Sequence, residues 1–303
     1  MMDQIMNQQT SNKSSNGILA LVVADINNPF FADIVKGVNK VARVNGYTVY
    51  TCDTDETVRN ELSVLLSIKQ QRFDGLIITP VSEQASKNAR LLESIQESDI
   101  PIVLIDREVK SANFDGVFID NHKGAFDGVE ALIRAGHQDI AIITGPATSK
   151  PGRDRLKGYQ EAMQLYNIPV NEALIQHGDF RWASGYYLTQ RLMQMENRPS
   201  AIFVSNNLMS IGCIKALTEL HLHIPDDVSL LTFDDSIALN AISQNISIIN
   251  RSATQMGIEA ATILIDRIRN NEKSVKRIPK RVVLLPKLEL RGSEVAASKL
   301  LKS

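Results

Sequence analysis

Residues 27–31, which read Asn-Asn-Pro-Phe-Phe, place two amides and two aromatic rings at a predicted corner between a strand and a helix. The apolar run at 18–23 is typical of a strand buried on both faces, and Pro29 suits a first helical turn. Open α/β sheets bind ligands at such corners. Amides beside aromatic faces suit a molecule with hydroxyl edges and a flat C–H face, such as a sugar. An equal alternative is that Phe30 or Phe31 belongs to the core.

Several other predicted strands also end in polar side chains. The corresponding residues are Asn28, Asp106-Arg107, Asn206-Asn207 and Asp234-Asp235, together with Arg153-Asp154-Arg155 at the opening of a predicted helix. Any one of these residues alone is more typical of a helix N-cap than of a ligand contact. Taken together, they predict one pocket lined by carboxylate acceptors, amide donors and guanidinium donors, a set that matches vicinal hydroxyl groups.

Strand and helix patterns alternate along nearly the whole chain, which predicts an α/β fold. The predicted strands are 49–52, 76–78, 102–105, 116–119, 140–144, 201–204, 228–233, 281–285 and 288–290; the main helices are 57–70, 84–97, 123–135, 153–165, 183–195, 208–220 and 253–269. One sheet of a dozen parallel strands is improbable. The repeat of the pattern predicts two doubly wound, Rossmann-like parallel-sheet subdomains with right-handed crossovers and a ligand cleft between them.

The composition is that of a soluble protein without a strong charge field. The 303 residues are 44% hydrophobic and 22% charged, with a formal net charge of −1. The two cysteines, Cys52 and Cys213, lie in apolar segments and indicate a reducing, cytoplasmic compartment. Residues 1–16 are mostly polar, lack the apolar region of a secretory signal and are predicted to form a flexible lead. No apolar run approaches the roughly 20 residues that span a bilayer.

The sequence predicts no enzyme, no catalytic residue, no metal and no cofactor. It has no Gly-x-Gly-x-x-Gly after the first strand, no Walker loop and no Gly-x-Ser-x-Gly elbow. The five histidines show no pairing at the i, i+4 spacing of metal ligands. The carboxylate pairs Asp53/Asp55 and Asp234/Asp235 have no companion that favours acid–base chemistry over a cap or a ligand contact.

At these motifs the chain resembles the effector-binding core of the LacI/GalR family of bacterial transcription regulators, over residues 17–293. It is also similar to periplasmic sugar-binding proteins of the same fold, the type I periplasmic binding proteins. The motifs that carry the resemblance are NNPFF at 27–31, DGL at 74–76, IDR at 105–107, GH at 136–137, RDR at 153–155, GDF at 178–180, SNN at 205–207, IPDD at 224–227 and FDD at 233–235.

The resemblance implies a set of effector-binding residues from both subdomains. Asn28 and Arg107 would hydrogen-bond the effector from the first subdomain, with Asp106 beside them. Arg155, Asn206 and Asp234 would hold it from the second subdomain, and Arg153 would orient its neighbours. The rings implied to sandwich the effector are those of Phe30, Phe31 and Phe180.

Arg251 stands where the family usually has glutamine, and its role has two equal readings. A guanidinium that faces the effector would favour a carboxylate or phosphate over a neutral hydroxyl. The alternative is that Arg251 neutralises Asp234 or Asp235.

The resemblance also implies discontinuous subdomains, joined by three hinge crossings near 119–121, 249–251 and 279–282. The first subdomain would comprise 17–119 and 251–280, the second 120–250 and 281–293, and residues 294–303 would form a tail. Three crossings let two rigid lobes close over a ligand.

The function expected from the resemblance is that of a cytoplasmic, sugar-responsive regulator core that binds a monosaccharide or sugar acid. The resemblance also implies a homodimer, for which residues 34–44 are a candidate interface, called here the candidate dimer seam. The same residues are equally typical of the hydrophobic core. Operator DNA would be bound only through a helix-turn-helix head, which the sixteen residues before Gly17 cannot supply. The alternative function is a sugar receptor of a transport system, which the lack of a signal peptide disfavours.

Overall fold

The structure is a computed structural model that describes residues 17–110, 113–242, 245–270 and 278–295. The predicted flexible lead, 1–16, and residues 296–303 of the predicted tail lie outside the described residues. Among the described residues, no helix combines the length and the apolar character that crossing a bilayer requires.

The first sheet is wholly parallel and has six strands. They are β1 (Gly17–Val23), β2 (Tyr47–Asp53), β3 (Gly75–Ile78), β4 (Ile102–Ile105), β5 (Asp115–Ile119) and β11 (Arg281–Leu284). Their order across the sheet is β11-β5-β4-β3-β1-β2, so β4 and β3 lie in the middle and β1 lies next to the edge strand β2. The central strands are buried on both faces, which is why they read as continuous apolar runs.

The second sheet repeats this order with one difference. Its strands are β6 (Ile140–Thr144), β7 (Ile175–His177), β8 (Ala201–Val204), β9 (Ser229–Phe233), β10 (Ser247–Asn250) and β12 (Lys287–Glu289). The order is β12-β10-β9-β8-β6-β7, and only the β10–β12 pair is antiparallel. The predicted α/β fold with two doubly wound sheets is confirmed.

Helices cover both faces of each sheet. They are α1 (Pro29–Val44), α2 (Val58–Gln70), α3 (Ser86–Gln96), α4 (Asn121–Arg134), α5 (Lys150–Leu165), α6 (Trp182–Met193), α7 (Asn207–Glu219), α8 (Ile237–Ile242) and α9 (Ala253–Arg269). Alternate residues of β1 divide between two cores: Leu19 and Leu21 pack against α1 and α9, whereas Ala20 and Val22 pack against α2 and α3. We call the first sheet with these four helices the first lobe, and the second sheet with α4–α8 the second lobe.

The chain crosses between the lobes at three places. It crosses at Asp120 between β5 and α4, and at residues 251–252 between β10 and α9. The third crossing lies at residues 285–286, between β11 and β12. The prediction that 281–293 belongs wholly to the second lobe is therefore wrong for Arg281–Leu284, which pairs in parallel with β5 of the first sheet. A short alternating strand does not itself reveal which of two sheet edges it joins.

The predicted tail also begins too early. Glu294 is buried, its backbone carbonyl accepts a hydrogen bond from His137 Nε2 at 3.1 Å, and its carboxylate accepts one from the Ser247 hydroxyl. The carbonyl of Val295 accepts from the Ser229 hydroxyl at 2.8 Å. Residues 294 and 295 thus belong to the second lobe, because they satisfy its polar groups.

The candidate dimer seam at 34–44 has one face in the core and one face exposed. Ile34, Val38 and Ala42 are buried against α9, whereas Val44 at the end of α1 is 80% exposed. The close crossing of α1 and α9 depends on Gly37: a Cβ there would lie 2.2 Å from the Thr254 carbonyl oxygen.

Candidate functional site

One cavity between the lobes brings together all ten residues that the sequence predicts to bind a ligand. Its lining consists of Asn28, Phe30, Phe31, Glu56, Asp106, Arg107, Pro151, Arg155, Phe180, Asn206, Asp234 and Arg251. The free volume is about 20 Å³, enough for roughly one water molecule, because side chains from both lobes meet across it. A larger molecule therefore needs the lobes to part or the side chains to move. We call this cavity the interlobe pocket.

Two aspartates take equivalent places in the two lobes. Asp106 follows β4 and Asp234 follows β9, which hold the same position in their sheets. The Asp106 amide donates to Val117 O at 2.9 Å, and the Asp234 amide to Ile249 O at 3.0 Å. The fold thus presents one buried carboxylate from each lobe to the pocket between them.

Arg251 joins these two carboxylates. Its Nε and Nη2 donate to the two oxygens of Asp234 at 2.5 and 2.7 Å, and its Nη1 donates to Asp106 Oδ1 at 2.5 Å. Burial lowers the pKa of Arg251, but Asp234 and Asp106 outweigh that effect, so the net pKa is raised. Of the two readings of Arg251, the structure shows the neutralising contact: Arg251 pairs with Asp234 and also with Asp106. Asp235 pairs with Arg291 instead.

Arg107 is held by Glu56, a pocket residue that the sequence reasoning missed. Its Nη1 and Nη2 donate to the two Glu56 oxygens at 2.7 and 2.6 Å, a bidentate pair. Burial lowers the pKa of Arg107, but the Glu56 carboxylate outweighs burial and raises it. Nε of Arg107 is buried without a hydrogen-bond partner among the described residues. This N–H is a donor available at the pocket.

Arg155 is a fully buried guanidinium that makes no hydrogen bond to a carboxylate of the described residues. Its Nε and Nη2 donate to Asn121 Oδ1 at 2.9 and 2.7 Å, and its Nη1 donates to the Ser205 carbonyl. The group stacks on Phe233, 3.9 Å from the ring centroid. Burial, with a smaller contribution from Arg251, lowers its pKa to about 9, so the group stays protonated at neutral pH.

Asn28 and Asn206 are both helix caps and pocket residues. Asn28 Oδ1 accepts from the Phe30 amide at 3.0 Å, and Asn206 Oδ1 accepts from the Met209 amide at 3.0 Å. Nδ2 of Asn206 donates to Phe180 O at 2.8 Å. Nδ2 of Asn28 has no partner among the described residues, so Asn28 offers the pocket a donor while its oxygen caps α1.

The aromatic rings serve the core and the pocket at once. Phe30 and Phe31 are 4% and 2% exposed, and they contact each other edge to face, with centroids 5.1 Å apart. The Arg251 guanidinium lies 3.6 Å from the Phe30 centroid, and that of Arg107 lies 5.6 Å from the Phe180 centroid. The predicted sandwich of an effector ring stays a prediction, because guanidinium groups lie over two of these rings.

Backbone strain concentrates at this pocket. Eight described residues other than glycine have positive φ, and four of them line the pocket: Glu56, Asp106, Phe180 and Asp234, at 51°, 66°, 67° and 70°. Left-handed φ is costly for such residues and persists where surrounding contacts enforce it, a feature typical of functional sites. Glu56 could have been found from sequence, because it lies in the polar run 53–57 that follows a predicted strand.

Charged pairs also join the lobes around the pocket. Arg153 Nη1 donates to Ala147 O at 2.7 Å within its own lobe, and its Nη2 pairs with Glu83 of the first lobe. Arg181 of the second lobe pairs with Asp55 at 2.9 Å. Arg153 therefore contributes to the contact between lobes and not to the pocket lining. No group of residues that could hold a metal ion occurs within the described ranges.

Comparisons with known proteins place the chain among regulators. A model of the periplasmic binding protein-like domain matches residues 129–293, more than half of the chain. The HTH-type transcriptional repressor PurR of Haemophilus influenzae (strain PittEE) is 32% identical over 280 residues, which cover 91% of this chain and 80% of the repressor. PurR of Edwardsiella ictaluri (strain 93-146) is 29% identical, over 86% of this chain and 76% of the repressor.

Solved structures of regulators have the same fold. A complex of the transcriptional regulator CelR with cellobiose superposes with a TM-score of 0.82 at 26% identity, over 96% of this chain and 89% of CelR. A putative transcriptional regulator LacI from Bacillus cereus subsp. cytotoxis NVH 391-98 superposes with a TM-score of 0.81 at 28% identity, over 92% and 98% of the two chains. Together with the fold, these relatives identify the chain as the effector-binding core of a transcription regulator. The chain belongs to the LacI/GalR family.

Proposed function

We propose that the effector is a neutral monosaccharide, bound in the interlobe pocket. Three carboxylates and three guanidinium groups line this pocket, so its charges balance, and Arg251 is already engaged by Asp106 and Asp234. A neutral polyol both donates and accepts hydrogen bonds, and so can bind without adding net charge to a buried site. The CelR relative was solved with a sugar, cellobiose, which supports this class of effector.

A sugar acid is the second candidate, because of Arg155. This buried guanidinium hydrogen-bonds only to the neutral groups of Asn121 and Ser205 among the described residues. An effector carboxylate beside it would form a charge-assisted pair. The two candidates differ in which groups of the pocket they would contact, and a ligand screen separates them.

The ten predicted residues divide the proposed contacts between the lobes. Asn28 Nδ2 and Arg107 Nε are the donors of the first lobe; Arg107 Nε makes no hydrogen bond among the described residues and lies 3.7 Å from Asp106 Oδ2. Arg155, Asn206 and Asp234 act from the second lobe. Asp106 and Arg251 lie between them, and the pocket rings provide the apolar faces. Because its lining comes from both lobes, an effector in the pocket would stabilise one interlobe angle over another.

The regulator would act as a homodimer on operator DNA. The relatives with sequence similarity are described as HTH-type repressors, so DNA binding in this family is assigned to a helix-turn-helix. A change in interlobe angle, transmitted through a dimer, would alter the spacing of two DNA-reading heads. This activity would take place in the cytoplasm, where operator DNA lies. Each lobe would move as a rigid unit.

A thermal-shift screen of neutral sugars, the matching uronic acids and sugar phosphates tests the proposal. We expect a neutral monosaccharide to raise the melting temperature most, because the pocket charges already balance. A uronic acid that outranks its neutral parent would favour the second candidate. If no sugar or sugar acid stabilises the protein at millimolar concentration, the proposed effector class is wrong.

A further inference from the structure

A second cavity lies beside the interlobe pocket, on the side where the chain crosses between lobes. Its volume is about 260 Å³, compared with about 20 Å³ for the pocket. By this measure roughly 10–15 Å³ holds one water molecule, so the cavity has room for a molecule the size of a monosaccharide. We call it the hinge cavity. Its lining is Asp106, Glu108, Phe118, Ile119, Asp120, Asn121, His122, Lys150, Pro151, Asp154, Lys157 and Val283.

We propose that the hinge cavity is a second binding site, for a small uncharged polyhydroxylated molecule, and that its occupant biases the lobes. The proposal does not depend on which effector occupies the interlobe pocket. Three observations support it: the chemistry of the walls, their origin in both lobes, and two polar residues shared with or bonded to the pocket.

The walls carry both hydrogen-bond donors and acceptors, together with apolar side chains. Lys150 Nζ pairs with Asp154 at 2.5 Å and lies 3.9 Å from Glu108, which also pairs with Arg281 at 2.8 Å. These mutual pairs leave little uncompensated charge to attract an ion, whereas their remaining donors and acceptors can exchange hydrogen bonds with hydroxyl groups. Phe118 and Val283 provide the apolar surface that a sugar-like C–H face requires.

The cavity is divided between the lobes and includes the first crossing. Glu108, Phe118 and Val283 come from the first lobe, and Lys150 and Lys157 come from α5 of the second. Asp120 and Asn121 lie at the crossing itself. A molecule that contacts both walls has different contacts at different interlobe angles, so its binding must shift that angle.

Two polar residues connect the hinge cavity to the interlobe pocket, and Pro151 also lines both. Asp106 lines both, and its Oδ1 accepts from Arg251 Nη1. Asn121 lines the hinge cavity, and its Oδ1 accepts from Nε and Nη2 of Arg155. An occupant that hydrogen-bonds Asp106 or Asn121 therefore competes for the acceptors that position two pocket guanidinium groups. Coupling of this kind is reciprocal.

Amide chemical shifts of the full chain, titrated with myo-inositol, test the proposal. We expect fast-exchange shifts centred on His122, Lys150 and Val283, with smaller shifts at Arg155 and Arg251. Absence of any shift at millimolar myo-inositol overturns the proposal, as do shifts confined to residues of the interlobe pocket such as Phe180.

Two bulky substitutions form a matched pair for the same titration. Val283→Trp fills the cavity from an edge strand where Val283 is 58% exposed, and should weaken myo-inositol binding at least tenfold. Leu165→Trp, at 61% exposure at the end of α5, outside the lining and away from the crossings, should leave binding unchanged. Lys150→Ala removes one donor and should also weaken binding if Val283→Trp does not fold. Unchanged binding in both Val283→Trp and Lys150→Ala overturns the proposal.

Discussion

At the scale of single residues, most charges of the pocket are paired with one another, and Arg155 is held by neutral groups. Arg251 lies between Asp106 and Asp234, and the Glu56 carboxylate accepts hydrogen bonds from both Nη1 and Nη2 of Arg107. Each of these two guanidinium groups therefore compensates the carboxylate charge that it contacts. Removing one member leaves its partners buried and unpaired. A single substitution in this network therefore lowers the stability of the protein more than the loss of a surface ion pair does.

Arg251→Gln should destabilise the protein by about 3–5 kcal/mol, because it leaves two buried carboxylates without their cation. Denaturant unfolding followed by fluorescence measures the loss. Arg134→Gln is the matched control, since Arg134 forms an exposed helical pair with Glu130 and its removal should change stability little. An equal effect of the two substitutions would contradict the network.

His137 should make stability fall as the pH falls. Burial lowers the pKa of His137, partly opposed by its hydrogen bond to the Glu294 carbonyl, so the folded protein favours the neutral ring. Below the ordinary value of about 6.5, the unfolded chain binds a proton that the folded chain resists, and stability decreases. His137→Gln should therefore show a shallower loss of melting temperature between about pH 6.5 and 5 than wild type or the exposed-site control His177→Gln. Identical slopes in all three would show that His137 is not responsible.

At the scale of helices and strands, the corners between a strand and a helix position the site, and helix packing holds these corners in place. Asn28 at the start of α1 and Asn206 at the start of α7 are fixed because they cap those helices. The orientation of α1 in turn depends on its crossing with α9, where Gly37 and Gly257 bring the two backbones together. Close helix contact thus sets the position of one pocket wall.

Gly37→Ala should destabilise the protein by about 1–3 kcal/mol, because the new Cβ would overlap the Thr254 carbonyl of α9. The exposed substitution Gln255→Ala on α9 is the control and should change little. Thermal unfolding of both variants measures the difference. If Gly37→Ala is as stable as Gln255→Ala, the close approach of α1 and α9 does not fix the packing.

Local sequence patterns identified most elements and the polar pocket residues at strand ends, because such groups stand out against buried strands. Phe180 and Arg251 came only from the family resemblance, and Glu56 and Pro151 of the lining were missed. The strand Ala201–Val204 and the helix Ala253–Arg269 match their predicted bounds. Three-residue β7 and short α8 were not predicted, since neither is long enough to show a period. Two features could not be predicted from local patterns: the pairing of Arg251 with Asp106, and the sheet that β11 joins. Both depend on contacts between residues far apart in the sequence.

At the scale of the whole molecule, two lobes of like topology meet across a pocket that is nearly filled by their own side chains. The cross-lobe pairs Arg153–Glu83 and Arg181–Asp55 lie around that pocket and include partly exposed groups. Pairs of this kind are individually weak and sensitive to salt. They bias the interlobe angle without locking it, which a ligand-responsive protein requires.

Arg181→Glu should favour more open lobes, because it sets two carboxylates against each other where Arg181 and Asp55 now pair. Small-angle scattering at low salt should show a larger radius of gyration than wild type, and about 1 M salt should remove the difference. Adding Asp55→Asn should relieve the repulsion, and asparagine tolerates the left-handed φ of 49° at this position. A double variant as expanded as Arg181→Glu would contradict this account.

The most direct test of the central claim is calorimetric titration of the neutral monosaccharide that ranks first in the screen. Asn28→Asp keeps the oxygen that caps α1 but removes the Nδ2 donor of the pocket; Asn171→Asp makes the same change at an exposed cap, where Asn171 Oδ1 accepts from the Ala173 amide at 3.0 Å. We predict that Asn28→Asp weakens binding at least tenfold, a loss of about 1.4 kcal/mol, and that Asn171→Asp binds like wild type. Unchanged affinity in Asn28→Asp would contradict binding between the lobes at Asn28.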